Sequence, residues 1–167
     1  MEDVLCSLNR HQSIWYGNPA IISFDIQDKR HHSLKTKSVV YNLEDSVSES
    51  ALKFVYEHSR SYFGRSPKKL RKVIILDSHH TEDHVFNELI NYDQFCKKGD
   101  YMIVCDTIVD NKYYDHKNRE REWNAKNNPM TALKKFLEIK PHWKQDEEVD
   151  ASLLLSCNKG GYIQYVG

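Results

Sequence analysis

Lys72-Val73-Ile74-Ile75-Leu76-Asp77-Ser78-His79-His80-Thr81 decides the reading of the fold. A continuous aliphatic run closed by a carboxylate is the pattern of a strand buried on both faces in a parallel sheet, so the run is predicted to be a central strand. From Thr81 to Asp93, Val85, Phe86, Leu89, Ile90 and Tyr92 form a helical stripe. Lys97-Lys98-Gly99-Asp100 then turns the chain into Tyr101-Met102-Ile103-Val104-Cys105-Asp106, a second strand that also ends in an acid. Strand, helix, strand makes this an α/β chain.

Upstream, Ala20 to Asp25 and Ser38 to Asn42 read as further strands. Asp3 to Ser13 reads as a helix stopped by Gly17-Asn18-Pro19, and Ser46 to Arg60 as another, with Ser46 as N-cap and Glu49 three residues on. Downstream, residues 110–128 are polar and predict a long loop of the kind that often serves as a lid. Pro129 opens a helix carried by Ala132, Leu133, Phe136 and Leu137. Leu153 to Cys157 and Tyr162 to Val166 flank Asn158-Lys159-Gly160-Gly161 and predict a terminal antiparallel hairpin. No repeat and no linker divides residues 1–167, so a single domain is expected.

Composition narrows the function. With 24 Lys+Arg against 24 Asp+Glu the net charge is zero, which argues against nucleic acid and anionic membranes as partners. No apolar run approaches the roughly 20 residues of a membrane span. The acidic start Met1-Glu2-Asp3 is not that of a signal peptide, and a cytoplasmic address is expected. Cys6, Cys96, Cys105 and Cys157 lack the spacing of a zinc or redox motif and read as reduced thiols.

In an open α/β sheet, ligands sit beyond the carboxyl ends of the strands, where Asp25, Asp77 and Asp106 stand, with Asp45 just past a fourth strand. Strand-end aspartates also cap helices and shape turns, so each alone has a structural explanation; their coincidence on one edge points to a site. His80 and His84 lie at the i, i+4 spacing of two-histidine metal sites, and Asp77 with both suggests an iron centre. The same histidines equally suit the first turn of a helix. Asp77 and Asp106 alone suit Mg²⁺. Lys68 to Lys72 and Lys117 to Arg121 read as solvated faces, and no Walker, GxSxG or GxGxxG motif is present.

Asp77-Ser78-His79-His80-Thr81 followed by a helix, Gly99-Asp100-Tyr101 leading to Val104-Cys105-Asp106-Thr107, Asn128-Pro129-Met130-Thr131, and Asn158-Lys159-Gly160-Gly161-Tyr162 resemble the cephalosporin hydroxylase and rhamnosyl O-methyltransferase family. The likeness extends upstream through Phe24-Asp25-Ile26 and Glu44-Asp45-Ser46. It implies a Rossmann-type sheet, mostly parallel, and methyl transfer from S-adenosylmethionine to a hydroxyl of a sugar or glycosylated small metabolite. It implies that Asp25 meets the ribose, that Asp45 and Ser46 lie by the adenine, with Asp77 also on the cofactor side, and that Mg²⁺ is held by the residues matching Asp77, Cys105 and Asp106. His80 is the candidate base.

Two departures stand out. Cys105 replaces the family's Glu with a soft thiol, which predicts weak Mg²⁺ binding, and His79 replaces an Asp. The family's first strand and glycine-rich turn would precede Met1; their absence from the sequence predicts marginal stability and self-association of a homo-oligomer through strand edges. The competing expectations are a cephalosporin-hydroxylase-like oxidoreductase using iron at Asp77, His80 and His84, and a non-catalytic Rossmann domain.

Overall fold

The structure, a computed structural model, describes residues 21–28, 39–63, 69–110, 121–153 and 155–167. They fall into two units, Met1–Ala51 and Leu52–Gly167. In the first, β1 (Ile21–Asp25) pairs in parallel with β2 (Val39–Leu43), from Ile21 opposite Val39 to Asp25 opposite Leu43. Both expected strands are present; the expected helix Asp3–Ser13 lies outside the described residues. The start of α1 (Glu49–Phe63), whose residues from Leu52 onward belong to the second unit, departs from expectation. Asp45 first turns the chain, its Oδ1 accepting from Val47 N at 3.0 Å, and Ser48 rather than Ser46 caps the helix by accepting from Ala51 N at 3.0 Å.

The second unit continues with β3 (Val73–Leu76), α2 (Glu82–Asp93), β4 (Tyr101–Val104), a 3₁₀ turn (Thr107–Asp110), α3 (Pro129–Ile139), β5 (Trp143–Gln145), α4 (Glu147–Ser152) and β6 (Tyr162–Tyr165). Its strands run in the order β3-β4-β6-β5. Only β3 and β4 are parallel; β6 is antiparallel to both β4 and β5, so the sheet is mixed rather than mostly parallel.

Two further expectations are corrected. Among the described residues β3 pairs only with β4 and is an edge strand, with Val73 exposed and only Leu76 buried. Among the described residues, Leu153 and Leu155 to Cys157 form no strand of a hairpin: Asp146 accepts from Val149 N at 3.1 Å and starts α4 instead, and Leu155 is 95% exposed. The place beside β6 is taken by β5, which ends immediately before that capping aspartate.

Local chemistry explains the helices that frame the sheet. Asn128 accepts from Met130 N and Thr131 N while Thr131 Oγ1 accepts from Asn128 N, a closed capping box around the first-turn Pro129 of α3. α2 is capped from a distance, Glu82 N donating to Asn127 Oδ1 at 2.7 Å. The two helices bury Val85, Leu89, Leu133 and Phe136 with Leu76, Met102, Val104, Trp143 and Ile163 of the strands. Each such side chain contributes about 1.5–3 kcal/mol when fully buried. Asp100, wholly buried, anchors the start of β4 by accepting from Lys97 N at 3.0 Å and pairing with the Lys72 ammonium.

Asp93 closes the far end of α2. Its carboxylate receives Lys140 Nζ at 2.7 Å and Trp143 Nε1 at 2.8 Å, with His142 Nε2 at 3.3 Å. Burial alone would raise its pKa, but these three partners together hold it below the ordinary carboxylate value. A depressed folded pKa stabilises the protein above the unfolded value, about 3.9, and that stability is lost as pH falls through the folded value. Asp93→Asn is therefore expected to lower stability by about 1.5–3 kcal/mol at pH 7, and the gap to the parent should narrow below pH of about 4. Urea midpoints at both pH values check this; an equal gap at both rules the linkage out.

Candidate functional site

The parallel pairing that sets Leu76 opposite Val104 brings the carboxyl ends of β3 and β4 to one edge, and Cys105 N extends the ladder to Leu76 O at 3.0 Å. Asp77 leaves β3 at that edge, and Asp106 follows β4. His80, three residues beyond Asp77, turns back between them. Its Nε2 lies 3.1 Å from Asp106 Oδ2 and 3.6 Å from Asp77 Oδ1, and one ligand atom from each of the three residues falls within 4.8 Å of the others. The side chains grade outward, with His80 19%, Asp77 29% and Asp106 41% exposed.

His80 Nε2 is sealed from solvent and has no hydrogen bond of ordinary geometry. The imidazole pKa is nonetheless raised: the Asp77 carboxylate beside it contributes most, burial opposes this, the charges of Asp106 and Asp77 add to it, and Arg121 lowers it. Since the separation from Asp77 is too long for a hydrogen bond, we read this attraction as charge acting across a short gap.

Asp106 has φ 53°, a left-handed conformation that costs a non-glycine residue about 1–2 kcal/mol and is kept only where its surroundings impose it. Here Asp106 N donates to Asn158 Oδ1 at 2.9 Å, and Thr107 Oγ1 donates to Lys159 O at 2.8 Å. Asn158 is held in turn, its N donating to Ser156 Oγ at 3.0 Å and its O accepting from Gly161 N at 2.7 Å, while Gly161 O accepts from Val104 N at 2.8 Å. The Asn158–Gly161 turn is thus a clamp on the end of β4 rather than a hairpin loop.

Residues 121–127 lie against the cluster. The buried Trp123 ring is 5.7 Å from that of His80, and the Arg121 guanidinium stacks 4.1 Å from the indole. This part of the expected loop is packed; residues 111–120 are outside the described residues. His79 is engaged elsewhere, 3.0 Å from Glu122 Oε2. His84 is not in the cluster: its Nε2 is 3.7 Å from Glu88 Oε1, which also accepts from Ser78 Oγ at 2.8 Å. Burial pushes the Cys105 thiol up to about 12, helped by the charges of Asp77 and Asp106, so it is neutral at physiological pH.

The structure brings Asp77, His80 and Asp106 together. In the first unit, Asp25 O accepts from Glu44 N at 2.9 Å, which sets Asp25 beside the turn bearing Asp45 and Ser46. Asp25 Oδ1 also accepts from Gln27 N at 2.8 Å. The sequence reading missed Asn158 as the support of Asp106 and Trp123 as the neighbour of His80. The signal for the first was present in the Asn-Lys-Gly-Gly run, read only as a turn.

An α/β sheet with acids converging at the ends of two parallel strands makes that edge the candidate ligand site. The family profile described as Rhamnosyl O-methyltransferase/CmcI matches residues 7–166, and the chain belongs to this O-methyltransferase-type family. No curated protein and no solved structure matches the chain.

Proposed function

We propose that the protein is an S-adenosylmethionine-dependent O-methyltransferase acting on a hydroxyl of a sugar or glycosylated small metabolite. The observation that carries this reading is the convergence of Asp77, His80 and Asp106 on the strand-end edge of a chain from an O-methyltransferase-type family. Asp25 is the proposed partner of the ribose hydroxyls and Asp45 with Ser46 the proposed adenine contacts, with Asp77 a further proposed cofactor contact. S-adenosylmethionine, when bound, supplies an electrophilic methyl group. Transfer of that methyl to a hydroxyl would need an in-line approach, so the part left to the chain's own residues would be mostly positioning. Asp106, the most exposed of the three, meets the hydroxyl first, and its proton settles on the Asp106–His80 pair 3.1 Å apart.

Mg²⁺, implied by the family likeness at Asp77, Cys105 and Asp106, does not fit this chain: the third position is a buried neutral thiol, and an imidazole enters the donor set. No step is assigned to it.

Binding tests the reading. S-adenosylhomocysteine is expected to raise the melting temperature and to bind roughly tenfold more weakly to Asp25→Ala, the loss of one charge-assisted hydrogen bond. If 2-oxoglutarate with Fe²⁺ protects the protein and S-adenosylhomocysteine does not, the chain is an oxidoreductase instead.

A further inference from the structure

We infer that the Asp77–His80–Asp106 cluster is a site for a first-row transition ion of the Zn²⁺ and Co²⁺ kind in preference to Mg²⁺, with His80 Nε2 as its nitrogen donor. Three observations lead there. The first is spacing. Donors bound at about 2.05 Å to one tetrahedral ion lie about 3.3 Å apart. The separations of 3.1 and 3.6 Å from Nε2 to the two carboxylates bracket that value.

The second is the state of the nitrogen. A ring nitrogen closed off from water, set between two acids and hydrogen-bonded to neither, is an unusual arrangement for a structural histidine. A bound cation satisfies all three groups at once, since each would present a lone pair to it. The third is donor chemistry, because distance alone suits Mg²⁺ equally well. Mg²⁺ selects oxygen donors, whereas imidazole suits zinc and its neighbours. The residue that stands in for a third acid, Cys105, is 3% exposed and offers sulfur in place of a hard oxygen donor. Asp106, 41% exposed, leaves the outer side of the cluster open to an entering ion.

The inference concerns the site of the proposed methyl transfer and rests on that reading only for what the ion would do there. Its test uses neither cofactor nor acceptor, so its failure is distinguishable from failure to bind S-adenosylhomocysteine. The full chain is titrated with Co²⁺ and followed by visible absorption, with Zn²⁺ and Mg²⁺ as competitors. One equivalent is expected to bind, to be displaced by Zn²⁺, and to resist Mg²⁺ in roughly hundredfold excess. His80→Ala should weaken Co²⁺ at least roughly tenfold, and His80→Asp, which substitutes an oxygen donor, should let Mg²⁺ compete. Cys157→Ser should bind as the parent does and show no thiolate-to-cobalt charge transfer. Urea midpoints of the His80 variants establish that they are folded; where His80→Ala is not, His80→Asp decides. The inference is overturned by absence of Co²⁺ binding, by displacement with equimolar Mg²⁺, by His80 variants that keep the parent's affinity and selectivity, or by loss of binding in Cys157→Ser.

Discussion

Gly161→Ala is expected to lower the unfolding free energy by more than about 3 kcal/mol and to disperse the acid–histidine cluster. A Cβ at this position would lie 2.2 Å from Val104 O, 2.9 Å from Asn158 O and 3.1 Å from Thr107 Cγ2. Two of these neighbours are backbone carbonyls, which cannot rotate aside as a long side chain would. Relief requires the Asn158–Gly161 turn to withdraw from β4, breaking the 2.8 Å bond from Val104 N to Gly161 O. Asn158 then leaves Asp106 N, and the left-handed Asp106 loses the hydrogen bond that fixes its amide. Gly160→Ala is the contrast. Gly160 has φ +73°, but its Cβ would meet only the Gln145 and Met130 side-chain ends, so about 1–2 kcal/mol of left-handed strain is expected and little more. Urea unfolding of both variants, with Co²⁺ titration of the survivors, checks the pair. If Gly161→Ala loses no more than Gly160→Ala, the turn is not a clamp.

This arrangement shows which parts of the protein could be read in advance. Val73 to Leu76, Tyr101 to Val104 and the helix stripes around Leu89 and Leu133 have composition and period that agree with their burial, so strand, helix and strand were legible. Trp143–Gln145 was not, because three residues with one buried side chain carry no period. Leu153 to Leu155 misled for the opposite reason: an aliphatic run attracts a strand assignment even where an aspartate cap upstream commits the chain to a helical turn. The edge position of β3 was hidden because pairing partners are a property of topology, not of the run itself.

The site divides in the same way. Asp77 and Asp106 were legible as strand-end acids, and His80 as a nearby imidazole. Their meeting at 3.1 and 3.6 Å was not, since it depends on the backbone of Asp106, which is set by an amide 52 residues away. His84 attracted a ligand role through its i, i+4 spacing from His80, yet spacing on a helix fixes only a shared face. Glu88, one turn further along and buried, engages His84 instead.

Trp143→Ala is expected to remove about 3–5 kcal/mol of stability. The indole is 1% exposed and packs between side chains of α3 and β6. Its ring lies 6.1 Å from that of Phe136 on α3 and 5.2 Å from that of Tyr165 on β6, the latter nearly perpendicular at 72°. Its Nε1 donates to Asp93 at the end of α2. Truncation therefore leaves a cavity between α3 and the sheet, strips aromatic contacts on two sides and takes one donor from a carboxylate that is already largely buried. Trp143→Phe separates these contributions. It keeps most of the ring volume but not the N–H, and Asp93 retains Lys140 and His142, so a loss of about 1–2 kcal/mol is expected. The two variants should also differ in near-ultraviolet circular dichroism, with Trp143→Ala losing the signal of the packed aromatic group. Equal losses from both would place the stability in the hydrogen bond to Asp93; a Trp143→Ala loss under about 1 kcal/mol would mean that the sheet and α3 do not share this core.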